Sequence, residues 1–541
     1  MDKVTNIVSN SVKDSVLYQD SSSLSSVALP LSPGRLGSSM PIDGFHGSLT
    51  ESQTHHWHGT GRVFTEGCRC MYRSFTMSAL VVDPCNVAPV TINMVPDVAL
   101  LTIFDFYMDE EKIETWQTLV HVCRKWRNIV FGSPRRLNLR LFCTARALRR
   151  RKLDTWPLLP IVVRSDDYIW RVGHFMVVLE HTDRVCEIDL SNMTSPQMEE
   201  VLVAMQQPFP ALTRLRLQLA YPEPVVSASE SILGGSAPGL QALCLCRVPF
   251  PGLPKLLLSA THLVDLRLLD IPHSGYITPE VMVNSLSVLT KLEIFKISFG
   301  SLRSRPPPKS RHQFLQTLTL PALTGLWFGG YHQYFEDLVA QIDVPLLNEL
   351  YISFSTSHIP KLTPFISRIP KSKAPNEAHV LFSKEDVVIR FPRTFDGAVR
   401  LEVSCEEPNR QRLWMARLCS SSLPQSLISV VENLYIKTEE ERKLDWLLLD
   451  DETEKSQWLE LLRPFTSVKC LYIAYGFKRC LARAVEGLTG ERVTEVFPAL
   501  QTLFLEEDPF HDGRFQEAIG PFVAARQLSG HPIVVSHWDG K

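Results

Sequence analysis

A cluster of histidines and cysteines in the first part of the chain offers residue types that bind zinc. The stretch HHWHGTGRVFTEGCRC contains His55, His56, His58, Cys68 and Cys70. Zinc sites usually separate paired cysteines by about two to four residues and paired histidines by about three to five. Here one residue separates the two cysteines, and the histidines are nearly adjacent. The spacing predicts no metal site, and the segment is better explained as part of an unstructured tail.

Residues that could perform catalysis fall into no known motif. The sequence has no G-x-S-x-G, G-x-x-x-x-G-K-[ST], H-E-x-x-H or C-x-x-C pattern, which would mark activated serines, phosphate loops, zinc proteases or thiol redox sites. The carboxylates of Glu406 and Glu407 are adjacent in sequence, so they point apart on a regular element. Cys123 lies in an apolar helical pattern, where cysteine behaves as a small hydrophobe. We therefore expect no enzymatic activity, no cofactor and no metal.

The composition limits the class of protein. The net charge of −2 over 541 residues argues against a globally basic nucleic-acid binder and against a highly acidic chain. The start of the chain lacks the apolar core of a signal peptide, and no apolar run reaches the roughly 18 residues of a membrane span. We expect a cytoplasmic or nuclear protein with free thiols and no membrane partner. Residues 1–90, rich in Ser, Thr, Gly and Pro, predict a disordered tail.

The segment 93–133 is the most regular part of the first third of the chain. Pro96 and Asp97 suit a helix start, and Gly132, Ser133 and Pro134 suit a helix end. Between them the pattern predicts two or three helices with apolar faces. The predicted apolar positions are Val98, Leu101, Phe104 and Phe106 or Tyr107, then Trp116, Leu119, Val122, Cys123, Trp126, Ile129 and Val130.

Three separated pieces of this segment resemble the F-box as it occurs in fungal F-box proteins: Val95-Pro96-Asp97, Ile103-Phe104, and Val122-Cys123 followed by Trp126. Val95 replaces the usual leucine, and the residues around 110–114 lengthen the first loop. The resemblance implies an F-box over 91–140 that binds the Skp adaptor of a cullin-based ubiquitin ligase. The alternative is a helical unit that only caps the following domain. The adaptor-binding residues implied by the resemblance are Val95, Pro96, Leu101, Ile103, Phe104, Leu119, Val122, Cys123 and Trp126.

An apolar-x-x-apolar-x-apolar motif recurs from residue 185 onward, with helix-like stretches between its copies. Successive starts lie 27, 28, 23, 29, 31, 24, 84, 37 and 32 residues apart, and leucine-rich repeats have periods of about 20–29 residues. We predict an irregular leucine-rich-repeat α/β solenoid over 141–541; an ordinary α/β domain is the alternative. The motifs start at Val185, Leu212, Leu240, Leu263, Leu292, Leu323, Leu347, Val431, Val468 and Leu500.

The array contains capped helices between its strands and one irregular segment. The stretch TSPQMEEVL suggests a helix capped by Ser195, and TPEVMVNSL one capped by Thr278, each followed by a proline at the first turn. Residues 354–430 break the repeat but contain three alternating, strand-like runs. They are either a β-rich insertion or degenerate repeats.

The outward-facing residue between the last two apolar positions of each motif changes character along the chain. If the strands stack in parallel, these residues form one column, charged at first and aromatic later. Aromatic residues and arginine dominate binding hot spots, although aromatic residues also favour strands without any ligand. The column comprises Asp189, Arg216, Cys244, Arg267, Lys296, Trp327, Tyr351, Tyr435, Tyr472 and Phe504. The predicted substrate-binding residues are Arg216, Arg267, Trp327, Tyr351, Tyr435, Tyr472 and Phe504.

These observations predict a substrate-recognition subunit whose partners are the Skp adaptor with its cullin ligase core and an unidentified protein substrate. The alternative is a non-catalytic protein-binding scaffold. A basic run at 149–152 suits an import receptor or an acidic partner, and no nucleic-acid-reading motif accompanies it.

Overall fold

The computed structural model describes residues 92–108, 115–144, 153, 156–165, 172–221, 223–224, 226–300, 317–354, 362–366, 376–383, 386–392, 398–404, 412–438, 452–506 and 514–539. The predicted tail over 1–90, its histidine and cysteine cluster, and the basic run at 149–152 lie outside these residues. In the described part of the chain, no helix is long and apolar enough to span a membrane.

Three helices begin the described part: α1 (Asp97–Tyr107), α2 (Thr115–Val122) and α3 (Arg124–Gly132). Pro96 precedes α1, where its fixed backbone angle suits a helix start. The sulfur of Cys123 accepts a hydrogen bond from the backbone N–H of Trp126 at 3.5 Å and so caps α3. We refer to residues 92–132 as the helical unit.

Sixteen strands form one sheet, in the order β1-β2-β3-β4-β5-β6-β7-β9-β11-β14-β13-β12-β15-β16-β17-β18, while β8 and β10 pair separately. All neighbours in the large sheet are parallel except the two pairs made by β13. The strands are β1 (Leu141–Thr144), β2 (Ile161–Arg164), β3 (Val185–Met193), β4 (Arg214–Leu219), β5 (Ala242–Cys246), β6 (Asp265–Ile271), β7 (Ile294–Phe299), β8 (Leu318–Thr319), β9 (Gly325–Gly330), β10 (Ile342–Asp343), β11 (Glu349–Phe354), β12 (Glu377–Phe382), β13 (Asp386–Phe391), β14 (Ala398–Ser404), β15 (Asn433–Thr438), β16 (Cys470–Ile473), β17 (Thr502–Glu506) and β18 (Val534–Trp538).

Helices connect many of the strands. They are α4 (Val172–Leu179), α5 (Ser195–Ala204), α6 (Leu253–Ser259), α7 (Pro279–Leu286), α8 (His332–Gln341), α9 (Thr363–Ile366), α10 (Arg412–Ser422), α11 (Gln425–Ile428), α12 (Glu452–Leu462), α13 (Lys478–Val485) and α14 (Arg514–Leu528), with short 3₁₀ turns at Ile92–Met94, Ile232–Gly235, His273–Gly275, Tyr475–Phe477 and Gly490–Thr494.

The core follows the repeated apolar motif. Leu215, Leu217, Leu243 and Leu245 are all buried, and side chains between them are more exposed. This two-residue alternation is what a sheet covered on one face by helices requires. The result is a mixed α/β structure with a large, mostly parallel sheet, consistent with the predicted solenoid.

Residues 354–430 enter the same sheet in an unexpected order. After β11 the chain reaches β12, which pairs in parallel with β15, and then returns through β13 to β14, which pairs in parallel with β11. Because β13 runs against its neighbours, the segment is a three-stranded meander inserted between repeats and not a run of ordinary repeat units.

The two predicted helix caps differ in outcome. Thr278 caps α7 as predicted, because its side chain accepts a hydrogen bond from the N–H of Val281. The prediction of Ser195 as the cap of α5 is wrong by one residue: Thr194 caps it, reciprocally with Gln197. The Ser195 hydroxyl instead bonds to Glu223 and to the carbonyl of Pro224.

Candidate functional site

The ten column residues lie on one face of the sheet as two runs in register, seven from Asp189 to Tyr351 and three from Tyr435 to Phe504. Asp189 pairs with Arg216, Arg216 with Cys244, and Cys244 with Arg267. The series continues through Lys296, Trp327 and Tyr351 on successive strands, and Tyr435, Tyr472 and Phe504 follow one another at the other end. We refer to this series as the column.

The column is not as continuous in sequence as predicted. Tyr351 and Tyr435 are not neighbours, because the inserted meander places Arg400, Arg390 and His379 between them in register. The physical reason is that inserted strands keep the two-residue alternation, so each adds one side chain to the same face. The predicted uniformly aromatic half therefore contains two arginines and a histidine.

The first strands of the sheet carry a network of ion pairs. Glu187 is buried, and its carboxylate lies 2.9 Å from Arg164, 3.5 Å from Arg140 and 3.9 Å from Arg214. Desolvation raises the pKa of Asp189 above its usual range, although Arg216 beside it acts in the opposite direction. One buried carboxylate thus forms ion pairs with three guanidinium groups, so positive charges outnumber negative charges around it.

Farther along, Arg267 and Lys296 have different partners. Arg267 donates two hydrogen bonds to Asp265, at 2.9 and 2.7 Å, in a fork that fixes its guanidinium. The ammonium of Lys296 stands 3.9 Å from the centre of the Trp327 ring, a cation–π contact. The ring of Trp327 lies over Gly325, where a side chain would collide with it. A glycine at this strand position therefore allows the indole to lie on the sheet.

Tyr351 belongs to a compact polar group with residues of the inserted meander. Its hydroxyl donates to Glu402 at 2.6 Å, and Arg400 bonds to the same carboxylate oxygen at 2.8 Å. The Arg400 guanidinium lies 5.1 Å from the centre of the Tyr351 ring. Burial raises the pKa of Tyr351 well above its usual range, with the Glu402 charge adding to the effect. The meander therefore holds Tyr351 in place, and the hydroxyl donates its hydrogen bond to Glu402 of the meander.

The aromatic end of the column is a stack of rings. His379, Tyr435, Tyr472 and Phe504 follow one another with ring centres 4.5, 4.1 and 4.5 Å apart, and the last two pairs are within 11° of parallel. Trp538 meets Tyr472 edge-on at 5.5 Å. Burial lowers the pKa of His379 despite its hydrogen bond to Glu377. We refer to these four rings as the stack, in which neighbouring rings cover the faces that they turn toward each other.

Lys437 sits at the edge of the stack. Its ammonium is 4.9 Å from the centre of the Tyr435 ring and 4.7 Å from that of Trp538. Burial lowers the pKa of this lysine. A cation of the chain itself is therefore held against both rings.

Between Arg216 and Arg267, β5 presents only small side chains. Cys244 is half-buried and Cys246 is buried. Burial raises the pKa of the Cys244 thiol and raises the pKa of Cys246 to about 12, so both sulfurs are uncharged at neutral pH. Among the described residues, no cluster of His, Cys, Asp and Glu side chains could hold a metal ion.

The predicted adaptor-binding residues divide into three groups in the helical unit: exposed, buried and half-buried. Ile103 and Val122 are each 55% exposed, and Pro96 is also exposed. Phe104 and Leu119 are buried inside the unit, so they hold the helices together. The remaining four are half-buried: Val95, Leu101, Cys123 and Trp126.

The inner side of α1 differs from the sequence expectation. Leu100 and Phe104, one helical turn apart, are its buried residues, whereas the predicted Val98, Phe106 and Tyr107 are exposed, Phe106 at 88%. Eight of the eleven residues of DVALLTIFDFY are apolar and they spread around the helix, so their spacing alone did not show which face turns inward. Sequence reasoning therefore missed Val98 and Phe106 as surface residues, and an excess of apolar residues over one helical face is the signal that could have found them.

The helical unit also packs on the start of the sheet. The indole N–H of Trp116 donates to the carbonyl of Arg140 at 3.0 Å, and its ring meets Trp156 edge-on at 5.1 Å. Phe131 completes this aromatic group, and Phe104 meets Trp126 at 4.8 Å within the unit. The unit is thus attached to the start of the sheet through Trp116, and it also carries exposed apolar residues such as Ile103 and Val122.

No protein-family model matches the chain, and no curated protein matches it. Among solved structures, the chain is similar to the leucine-rich repeat-containing protein LegL7 from Legionella pneumophila, with 14% identity, 67% of this chain and 95% of that chain covered, and a TM-score of 0.26. A similarity of that size assigns neither family nor function, so the architecture rests on the parallel sheet itself.

Proposed function

We propose that this protein is a non-catalytic substrate-recognition subunit of a Skp–cullin–F-box ubiquitin ligase. The helical unit binds the Skp adaptor, and the column face of the sheet binds a protein substrate. Its contribution to the reaction is proximity: it raises the effective concentration of the substrate beside the transfer machinery and makes or breaks no covalent bond itself.

The observation that carries this proposal is that some apolar residues of the helical unit are buried inside it while others, at F-box-like positions, are exposed. Leu100, Phe104 and Leu119 hold the unit together, while Ile103 and Val122, both in the F-box-like positions, remain exposed. Burying one large apolar side chain contributes about 1.5–3 kcal/mol. Val98 and Phe106 are also exposed in the helical unit, and burial of several such residues against an adaptor would offset the cost of association.

Adaptor capture tests the proposal. We expect the full chain to retain a purified Skp adaptor in a pull-down, and the double variant Ile103→Asp/Val122→Asp to lose it, because a buried unpaired carboxylate is costly. Val203→Asp is the matched control, since Val203 is an exposed valine on α5 outside the helical unit. Circular dichroism shows whether each variant is folded. Equal capture by the folded double variant and the wild type would contradict the assignment.

A second candidate function is a binding scaffold whose helical unit only caps the sheet. The contacts of Trp116 with Arg140 and Trp156 favour it, because they cover the end of the sheet at β1. On that view the wild-type chain captures no adaptor, while Trp116→Ala still lowers the free energy of unfolding by about 3 kcal/mol. Capture by the wild type therefore separates the two functions.

A further inference from the structure

The strand β5 forms the floor of a trough on the column face. Its outward residues, Ala242, Cys244 and Cys246, are all short. The flanking strands β4 and β6 are both paired to β5 and carry longer side chains at the same height. Neighbouring strands lie about 4.8 Å apart, so the walls of the trough are roughly 10 Å from each other.

Arginine lines both walls at the same level. Arg216 on β4 and Arg267 on β6 are the two register partners of Cys244. Their side chains are 44% and 34% exposed, so both guanidinium groups are reachable from solvent. An anionic group standing on Cys244 would meet one guanidinium on each side.

Both arginines keep a donor group for such a ligand. The bonds of Arg267 to Asp265 use Nε and Nη2, so Nη1 takes part in neither. Arg216 uses Nη2 for Gln218 and Nε toward Asp189 at 3.8 Å, which again leaves Nη1. The existing bonds hold the guanidinium planes in place before a ligand arrives, which lowers the entropy cost of binding.

The charges around the trough favour an anion. Lys296 follows Arg267 in the column, and among the described residues no carboxylate lies within ion-pair distance of its ammonium. Burial lowers the pKa of Lys296 to about 8, and the positive charge of the neighbouring Arg267 adds to this effect. The thiols of the floor are neutral because burial raises the pKa of both, so they do not repel an anion.

We propose that the trough over β5 binds an anionic side chain of a protein partner, a carboxylate or a phosphoryl group, between Arg216 and Arg267. This rests on the part of the proposed function that makes the column face the substrate surface, and it names the substrate class: a segment bearing an acidic or phosphorylated residue. Arginine suits both ligands because its planar fork donates two parallel hydrogen bonds to their oxygens.

A protein segment fits this face better than a nucleic acid does. The arginines are interspersed with Glu187, Asp189 and Asp265, which would repel a continuous phosphate backbone. A backbone contact also needs a run of cations at regular spacing, whereas here a single anionic group finds two guanidiniums across one strand. Within the aromatic stack, neighbouring rings cover the faces that they turn toward each other, so bases have no access to those faces.

Binding of labelled probes to the purified full chain, without adaptor, tests the proposal. The probes are fluorescein-labelled peptides of one scaffold, carrying a central Glu, phosphoserine or Lys, and a single-stranded oligouridine. We expect the Glu or the phosphoserine peptide to bind, with the stronger of the two identifying the anion, and the Lys peptide to bind at least tenfold more weakly, since each charge-assisted bond contributes roughly 1.5–3 kcal/mol.

Two variants place the site in the trough. Arg216→Gln removes one wall cation and Cys244→Leu fills the floor without changing charge; each should weaken the preferred peptide by about tenfold or more. Arg390→Gln is the control for charge, because Arg390 is an exposed column residue on β13. Cys470→Leu is the control for filling, on β16 of the same face.

Unchanged binding in Cys244→Leu and Arg216→Gln, equal binding of the Glu, phosphoserine and Lys peptides, or no binding of either anionic peptide would overturn the proposal. Tighter binding of oligouridine that depends on Arg216 would overturn it in favour of a nucleic acid. Neither result bears on adaptor capture, which uses the helical unit, so failure of this proposal and failure of the ligase assignment are distinguishable.

Discussion

The two ends of the column occupy equivalent places in the sheet and use them differently. From β3 to β7 the residues in register are charged except Cys244, and Arg216 and Arg267 each keep an Nη1 group that takes part in none of their described bonds. In the stack, His379, Tyr435, Tyr472 and Phe504 cover each other's ring faces. The same backbone geometry therefore gives a surface with unused hydrogen-bond donors at one end and a row of aromatic rings that mainly contact one another at the other end.

The difference has an energetic side. A stacked aromatic pair contributes about 0.5–1.5 kcal/mol beyond its buried area, whereas a solvent-exposed ion pair contributes about 0–1 kcal/mol. The stack should therefore stabilise its end of the sheet, and the charged end should contribute little to stability. This changes the expectation for Tyr435, Tyr472 and Phe504: their part in substrate binding stays a prediction, and their first effect is on the fold.

The largest test of the comparison is Tyr472→Ala against Arg216→Ala. Tyr472 stacks on Tyr435 and Phe504 and meets Trp538 edge-on, so its removal should lower the free energy of unfolding by about 2–3 kcal/mol. Arg216→Ala should change it by less than about 1 kcal/mol. Urea unfolding followed by circular dichroism measures both. Similar decreases in the free energy of unfolding of the two variants would contradict the claim that the two ends differ in their contribution to stability.

Much of this arrangement followed from the sequence. Parallel strands stack in phase, so a repeated apolar motif is enough to predict which residues stand in register, and the pairs from Asp189 to Tyr351 lie as the motif requires. The same reasoning failed for the meander, because a two-residue alternation is identical for a strand of either direction. Nothing in DVVIRF distinguishes the antiparallel β13 from its neighbours.

The trough was within reach of the sequence but was not predicted. The run ALCLC alternates large inward leucines with short outward residues, and the flanking motifs carry Arg216 and Arg267 at the matching position. The trough exists only because β4 and β6 carry long side chains on both sides of the short residues of β5. It is missed when the residues of each motif are considered separately. The pairing of Tyr351 with Glu402 was out of reach, because it depends on the strand order of the insertion.

A medium-sized effect is expected where the two ends meet. Gly325→Ala places a methyl group inside the space of the Trp327 ring, so the indole must lift from the sheet and lose its contact with Lys296. The cost should be about 1–3 kcal/mol of unfolding free energy. Gly520→Ala on α14 is the matched control, since a methyl group there meets nothing, and it should be neutral or slightly stabilising. A destabilised control with an unaffected Gly325→Ala would contradict the placement of Trp327.

The smallest effect concerns the proton on Lys296 and tests how far burial, together with Arg267, disfavours its charge at this end of the column. Burial, with Arg267 adding to it, lowers the pKa of this lysine from 10.5 to about 8. The folded chain then binds fewer protons than the unfolded chain between these values, so this group makes folding more favourable as the pH rises through that window. Lys296→Met removes the contribution. Its free energy of unfolding relative to wild type should therefore fall between about pH 8 and 10.5, by under about 1 kcal/mol after solvent screening. Taking the difference between two chains in urea titrations at each pH cancels the other titrating groups. A constant difference across the window would mean that Lys296 keeps its ordinary pKa and that burial beside Arg267 does not disfavour its charge.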